Sequence, residues 1–285
     1  MAISEQEYHE LERLAAKIRL DTLCSIKKMG QGHLGGSFSI VELLAVLYGK
    51  QLRVNPKDPQ WADRDRLVLS KGHAGAALYS ALANTGYFDR SWLWTINEGG
   101  TRLPSHPDRW KTPGVDATTG SLGQGTSMAA GIATGLRLAG KDNFVYLIVG
   151  DGELNEGQCW EAFQYIAHLK LNHCIVIIDD NKKQLDGPTK DILDPFDIQQ
   201  KMTAFGFYTE KVLGADIRAI DEAIERCKAV EDQAVCIVLD SIKGQGVLFF
   251  EELDANHSVK FTTDEINQAA EEAIKELTIK IEGGR

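Results

Sequence analysis

The chain has 285 residues, 43% of them hydrophobic and 25% charged, with 31 Lys+Arg against 41 Asp+Glu and a net charge of −10. Those proportions exclude a disordered, collagen-like or coiled-coil chain, and the acidic balance argues against nucleic acid as a partner. No apolar run reaches the roughly 18 residues of a membrane span. The first residues lack the pattern of a signal peptide, and Cys24, Cys159, Cys174, Cys227 and Cys236 show no C-x-x-C spacing, so reduced thiols, a cytoplasmic location and no membrane partner are expected.

Residues 4–29 carry Leu11, Leu14, Ile18, Leu23 and Ile26 at helical spacing, with Ser4 as N-cap. A second helix is predicted over 39–51, capped by Ser39, then a short strand at Leu67-Val-Leu69 and an Ala-rich helix over 74–83. Residues 98–123 lack any periodic pattern; a stretch of that length in a compact domain predicts a binding loop. A helix over 124–139 is rich in Gly and Ala, which permits close packing.

Three further strands read as unbroken apolar runs. They are Phe144-Val-Tyr-Leu-Ile-Val149, Cys174-Ile-Val-Ile-Ile178 and Val235-Cys-Ile-Val-Leu239. Such runs predict strands buried on both faces. Helices over 154–170 and 216–229 separate them, and a last, partly polar helix covers 262–281. This β-α-β rhythm predicts an α/β fold with a mostly parallel central sheet and helices on both faces. The expected organisation is one domain over 1–285, with a helical segment about 1–60, a core sheet about 61–245 and a C-terminal segment about 246–285.

Ligands of such sheets sit beyond the carboxyl ends of the strands. There the chain places Gly150-Asp151-Gly152 after one strand and Asp179-Asp180-Asn181 after the next. Adjacent parallel strands would bring Asp151 and Asn181 together. Mg²⁺ takes oxygen ligands and few protein charges, so one carboxylate, one amide oxygen and a backbone carbonyl just after Asn181 suit it, leaving positions for phosphate oxygens. The flanking glycines let the backbone approach phosphates. No Walker A sequence is present, and the Gly-x-x-Gly-x-Gly run at Gly120 follows no apolar strand, which argues against a dinucleotide loop. The histidines lack the spacing of a zinc site.

The pattern Gly150-Asp151-Gly152-Glu-Leu-Asn-Glu-Gly, Asp180-Asn181 and Asp186-Gly187 resembles the thiamine-diphosphate signature of transketolases. Gly32-His33-Leu-Gly-Gly resembles the family's Gly-His-Pro-Gly, with Leu34 in place of proline. Arg66-Leu-Val-Leu-Ser-Lys71-Gly-His73-Ala, Ser105-His106-Pro, Thr119-Gly120-Ser-Leu122-Gly-Gln-Gly125 and Lys243-Gly-Gln-Gly-Val followed by His257 resemble further blocks, in the family's order, over about residues 15–260.

The resemblance implies a thiamine-diphosphate-binding fold of the pyrophosphate type. It implies that Asp151, Asn181 and the Lys183 carbonyl hold Mg²⁺, with Ca²⁺ or Mn²⁺ as substitutes. Asn181 would also touch the cofactor, Gly150 and Gly152 would approach the diphosphate with Lys243 nearby, and Gly120 and Leu122 would meet the aminopyrimidine. His33, His73, His106 and His257 would surround the reactive carbon. Glu156 would join a carboxylate network at the interface between subunits.

Ketol transfer needs groups that take up and release protons near neutrality, which imidazoles do. His9, His168 and His173 match no block. No segment resembles the family's pyrimidine-binding domain, which supplies the glutamate that protonates the cofactor ring and the residues that grip the sugar phosphate. The resemblance therefore implies the N-terminal subunit of a split transketolase, inactive without its C-terminal partner, with two copies of each chain and sugar phosphate substrates. The alternatives are the corresponding half of an enzyme for apulose phosphate or a sulfo-sugar, or another thiamine-diphosphate enzyme half resembling deoxyxylulose-phosphate synthase. A cofactor-binding scaffold is disfavoured, because a scaffold needs no proton-transfer histidines.

Overall fold

The computed structural model describes residues 3–283. Five strands, β1 (Arg66–Leu69), β2 (Val145–Gly150), β3 (Cys174–Asp180), β4 (Phe207–Leu213) and β5 (Ala234–Asp240), form one parallel sheet in the order β1-β2-β3-β5-β4. The helices are α1 (Glu5–Met29), α2 (Leu34–Phe38), α3 (Val41–Val46), α4 (Gly75–Asn84), α5 (Gln124–Leu138), α6 (Gly157–His168), α7 (Thr189–Leu193), α8 (Ile198–Ala204), α9 (Ile217–Lys228), α10 (Leu248–Glu252) and α11 (Asp264–Gly283).

The central strands are apolar throughout because each face meets its own core. Tyr146, Ile148, Ile175, Ile177, Val235 and Ile237 face α1, α3, α4 and α9. Val145, Leu147, Val149, Val176, Ile178 and Val238 face α5, α6 and α8. Strand side chains alternate between faces, so a continuous apolar run is the pattern of a sheet covered twice. Ile148, Ile177 and Ile237 are fully buried, each contributing about 1.5–3 kcal/mol of transfer free energy.

The first helix starts where its cap predicts. Ser4 Oγ accepts from Glu7 N at 3.2 Å, and Glu7 Oε2 accepts from Ser4 N at 2.8 Å. The helix expected over 39–51 does not form as one piece. It starts only at Val41, as α3 behind the separate short helix α2, and ends in a wider π-type turn at Leu47–Gln51. Ser39 is not the N-cap of the later helix but the C-cap of α2, its N donating to Gly35 O at 3.2 Å; its hydroxyl is drawn inward to Asp179 Oδ2 at 2.7 Å, and Lys71 Nζ donates to the Gly36 carbonyl at 2.6 Å. A tertiary bond outweighs the local capping preference here.

Strand β4 escapes the apolar-run criterion because it is the half-exposed edge of the sheet. Strand β3 extends beyond Ile178 because Asp179 and Asp180 remain paired with Leu239 and Asp240 of β5. The helix expected over 154–170 begins later, at Gly157, behind a 3-10 turn at Gly152–Asn155.

Residues 98–123 form no helix or strand, as expected. Tethers hold this segment: Tyr79 OH donates to Pro104 O at 2.8 Å, Thr119 N to Pro107 O at 3.1 Å and Thr119 Oγ1 to Leu69 O at 2.7 Å. The last of these fixes the Gly120 turn at the carboxyl end of β1. Among the described residues no helix is long and apolar enough to cross a membrane.

Candidate active site

Strand register assembles the site. Gly150 of β2 is level with Asp179 of β3, so the turn at Asp151 and the chain at Asn181 leave the sheet side by side. Both Asp151 oxygens are fixed by main-chain donors, Gly152 N at 2.8 Å and Lys182 N at 2.7 Å. Asn181 donates Nδ2 to Asp179 Oδ2 at 2.7 Å, and its Oδ1 accepts only a long bond, 3.3 Å, from Lys183 N. Asp151, Gly150, Gly152, Asn181, Lys183, Lys243, Leu122, Glu156, His73 and His257 all line one cavity of about 300 Å³. Its width at Gly152 depends on glycine, since a Cβ there would stand 2.8 Å from Gln184 Cβ.

The four expected histidines converge from four separate segments. His33 lies 5.5 Å from His73, 5.8 Å from His106 and 5.3 Å from His257, ring centre to ring centre, and His73 lies 5.0 Å from His257. Gly120 faces this group: its φ is +152°, and a Cβ would come within 3.3 Å of the His106 ring. His173 instead stacks on Phe144 at 4.5 Å, and His9 pairs with Glu12 on the exposed face of α1.

Electrostatics keep the imidazoles neutral. Burial, then the charges of Lys71 and the neighbouring imidazoles, holds His73 well below the usual histidine value. Burial and the Lys243 ammonium push His257 down to about 3. Burial also lowers His33 and His106. At neutral pH each imidazole is uncharged, with one ring N–H to donate and one ring nitrogen to accept.

The oxygen corner has the opposite character. Burial, then the charge of Asp179, pushes the Asp151 carboxyl up to about 7. A bound cation would relieve that cost. Lys243 Nζ already donates to the Lys183 carbonyl at 2.8 Å and to Gln184 O at 3.4 Å, and contacts His257 Nδ1 at 2.8 Å. A positive group thus already sits on the carbonyl expected to serve a metal. One carboxylate, one amide oxygen and one carbonyl, all oxygen donors, suit a hard divalent cation.

Glu156 is the outlier. It stands exposed on the cavity rim, and its carboxylate has no hydrogen-bond or ion-pair partner among the described residues.

Two buried groups behind the site carry weight that motif reading did not assign. Glu153 accepts from Ser70 Oγ, from Gly123 N at 2.7 Å and from Gly150 N at 3.1 Å, binding the ends of β1 and β2 to the Gly120 loop. Asp179 is fully buried, and Lys71, itself 1% exposed, lies 2.6 Å from it. Burial pushes Asp179 up, but the Lys71 ammonium with the bonds from Ser241 and Asn181 outweighs it and holds the carboxyl below its usual value. The available signal was a charge closing an otherwise apolar strand.

The family described as transketolase, thiamine diphosphate binding domain, matches residues 11–276. The chain belongs to the transketolase family. This is a transferase family, and the matched region is its thiamine-diphosphate-binding domain. The chain is 44% identical, over 96% of its length and 99% of the relative's, to the 6-deoxy-6-sulfo-D-fructose transketolase subunit of Clostridium sp. (strain MSTE9). It is 38% identical, over 93% and 96%, to an apulose-4-phosphate transketolase subunit of Actinobacillus succinogenes. Among solved structures, the transketolase of Campylobacter jejuni superposes with a TM-score of 0.84 at 28% identity, covering 99% of this chain and 47% of that one. The transketolase of Leishmania mexicana gives 0.82 at 29% identity, covering 96% and 46%. The chain spans under half the length of these solved transketolases and nearly the whole of the relatives named as subunits.

Proposed function

We propose that this chain is the N-terminal subunit of a two-chain, Mg²⁺-dependent transketolase and transfers a two-carbon ketol unit from a ketose to an aldose phosphate. The observation that carries the proposal is the meeting of four neutral imidazoles and an all-oxygen corner around one end of a parallel sheet. Thiamine diphosphate, when bound, supplies the carbanion stabilisation that carbon–carbon cleavage beside a carbonyl requires.

In this reading Asp151 Oδ, Asn181 Oδ1 and the Lys183 carbonyl would hold Mg²⁺, Gly150 and Gly152 would let the backbone approach the diphosphate, and Lys243, now on the Lys183 carbonyl, would supply a positive charge beside it. The main chain at Gly120–Leu122 meets the aminopyrimidine. His33, His73, His106 and His257, neutral at physiological pH, accept the proton that leaves the donor hydroxyl and return one to the acceptor oxygen. The exposed Glu156 carboxylate is left for a carboxylate network with a neighbouring chain.

The partner is a chain carrying the pyrimidine-binding domain, in an assembly of two copies of each in the cytoplasm. Support comes from the full-length match to relatives named as subunits. It comes also from the exposure of Leu185 (67%), Leu193 (58%) and Phe196 (75%) beyond the Asn181 turn, an apolar stretch of the kind a partner covers. The pyrophosphate-type domain is taken to comprise the whole chain.

The test is ketol transfer with thiamine diphosphate and Mg²⁺, by the chain alone and with the companion chain. Turnover is expected only with the companion; robust turnover by the chain alone would overturn the reading. A ketose phosphate and pyruvate as rival donors separate ketol transfer from a decarboxylating synthase resembling deoxyxylulose-phosphate synthase. The higher identity to the sulfofructose relative makes a sulfo-sugar the first donor to assay, ahead of apulose phosphate and the pentose phosphates.

A further inference from the structure

The Lys71–Asp179 ion pair is enclosed by protein, with Asp179 at 0% and Lys71 at 1% exposure. Removing two charges from water is costly, and such a pair is often no more stabilising than apolar side chains of the same size. Its contacts point to another use. Asp179 Oδ2 accepts from Lys71 Nζ at 2.6 Å, Ser39 Oγ at 2.7 Å and Asn181 Nδ2 at 2.7 Å, while Oδ1 accepts from Ser241 Oγ. Lys71 donates also to Gly36 O at 2.6 Å.

An amide has a donor end and an acceptor end of nearly the same shape. With Nδ2 tied to Asp179, Asn181 turns Oδ1 away from that carboxylate, where among the described residues only Lys183 N reaches it, at 3.3 Å. Were the amide reversed, its NH₂ group would meet the incoming cation. Lys71 also runs beneath the other half of the corner: its Cδ lies 3.5 Å from the position of a Cβ on Gly150, the residue before Asp151.

We propose that the Lys71–Asp179 pair is a positioning device for the divalent cation: it selects the end of the Asn181 amide that faces the corner and supports the turn that carries Asp151. The proposal rests on the reading of Asp151, Asn181 and the Lys183 carbonyl as cation ligands. Neither Lys71 nor Asp179 touches the cation; both act through Asn181 and the Gly150 turn.

The experiment uses the full chain with thiamine diphosphate and Mn²⁺ as probe, free Mn²⁺ being counted by electron paramagnetic resonance. The thermal midpoint of the unliganded chain is measured in parallel. The double variant Lys71→Met/Asp179→Leu leaves no buried charge unpaired but takes the acceptor from Ser39 Oγ, Ser241 Oγ and Asn181 Nδ2, so its midpoint is expected to fall, while the Mn²⁺ affinity of the folded variant falls about tenfold or more. The isosteric Asp179→Asn retains the volume but leaves the buried Lys71 ammonium without its counter-charge, so it is expected to melt lower and to lose affinity in the same direction, and it serves if the double variant does not fold. Parent-like Mn²⁺ affinity in a folded variant of either kind overturns the proposal. Asp151→Ala is the separating control: if it too binds Mn²⁺ as the parent does, the ligand assignment itself fails, whereas loss in Asp151→Ala alone sinks only the positioning role.

Discussion

Helix α5 offers a paired test in which one substitution, made at two places, should act with opposite sign. At Gly125 a Cβ would stand 2.5 Å from Ser70 Oγ and 2.6 Å from Ser70 Cα and Cβ, at the carboxyl end of β1. Carbon atoms rest at about 3.5–4.0 Å, so helix and strand would have to separate by about 1 Å. The strand cannot yield freely: Ser70 N donates to Ile148 O at 2.8 Å, and its hydroxyl donates to the buried Glu153. Gly125→Ala is therefore expected to cost about 1–3 kcal/mol, as overpacking of a rigid contact does. At Gly131, two turns along on the exposed side, nothing lies within 4 Å of the added methyl. Gly131→Ala should stabilise by about 0.5–1 kcal/mol through helix propensity and a less flexible unfolded chain. In differential scanning calorimetry of the chain, Gly125→Ala should melt about 2–10 °C lower and Gly131→Ala slightly higher. Because α5 follows the Gly120–Leu122 turn, Gly125→Ala should also weaken thiamine-diphosphate binding by isothermal titration, with Gly131→Ala unchanged. Equal midpoints for the two variants would refute the close approach of α5 to β1.

Asp151→Ala should abolish Mg²⁺-dependent thiamine-diphosphate binding, read by calorimetric titration with and without the metal; parent-like binding would contradict the oxygen corner. His106→Ala, or His33→Ala, should lower kcat of the assembled enzyme by about 10²–10⁴-fold while cofactor affinity stays near the parent's. Glu153→Ala strands the buried amides of Gly123 and Gly150 and should cost about 2–4 kcal/mol in urea denaturation, with the midpoint moved and the slope kept. The pH dependence follows from His73, whose folded-state pKa is depressed. Its contribution is complete above the unfolded value near 6.5 and is lost as pH falls, because the unfolded chain takes up the proton first. His73→Asn should therefore flatten the stability profile below pH 6.5, by at most about 1.4 kcal/mol per pH unit; an unchanged profile would show that His73 is not held neutral.

Much of the architecture was legible because its causes are local or periodic. Residues 145–149, 174–178 and 234–239 are apolar without interruption, and only a strand covered on both faces uses such a run. Ser4 and Glu7 carry their capping bonds within one turn, so the start of α1 could be placed from sequence. The elements misplaced or missed are those in which a distant contact prevails. The break at Ser39 exists because Asp179 accepts its hydroxyl, and β4 pairs as an edge strand whose half-exposed pattern carries no strong signal.

The sequence by itself determined the parallel α/β fold, the edge of the sheet at which ligands sit and the residue types gathered there, since each follows from periodicity or from spacing along a strand. The motif resemblance placed His33, His73, His106 and His257 around one reactive centre; only the tertiary structure decided their ring separations of 5.0–5.8 Å, the burial that lowers their proton affinity, and the position of Lys71 and Asp179 behind Asn181. Ring separations, burial and the proton affinities that follow from them depend on which remote segments share a volume, and the local sequence around each of these residues carries no record of that.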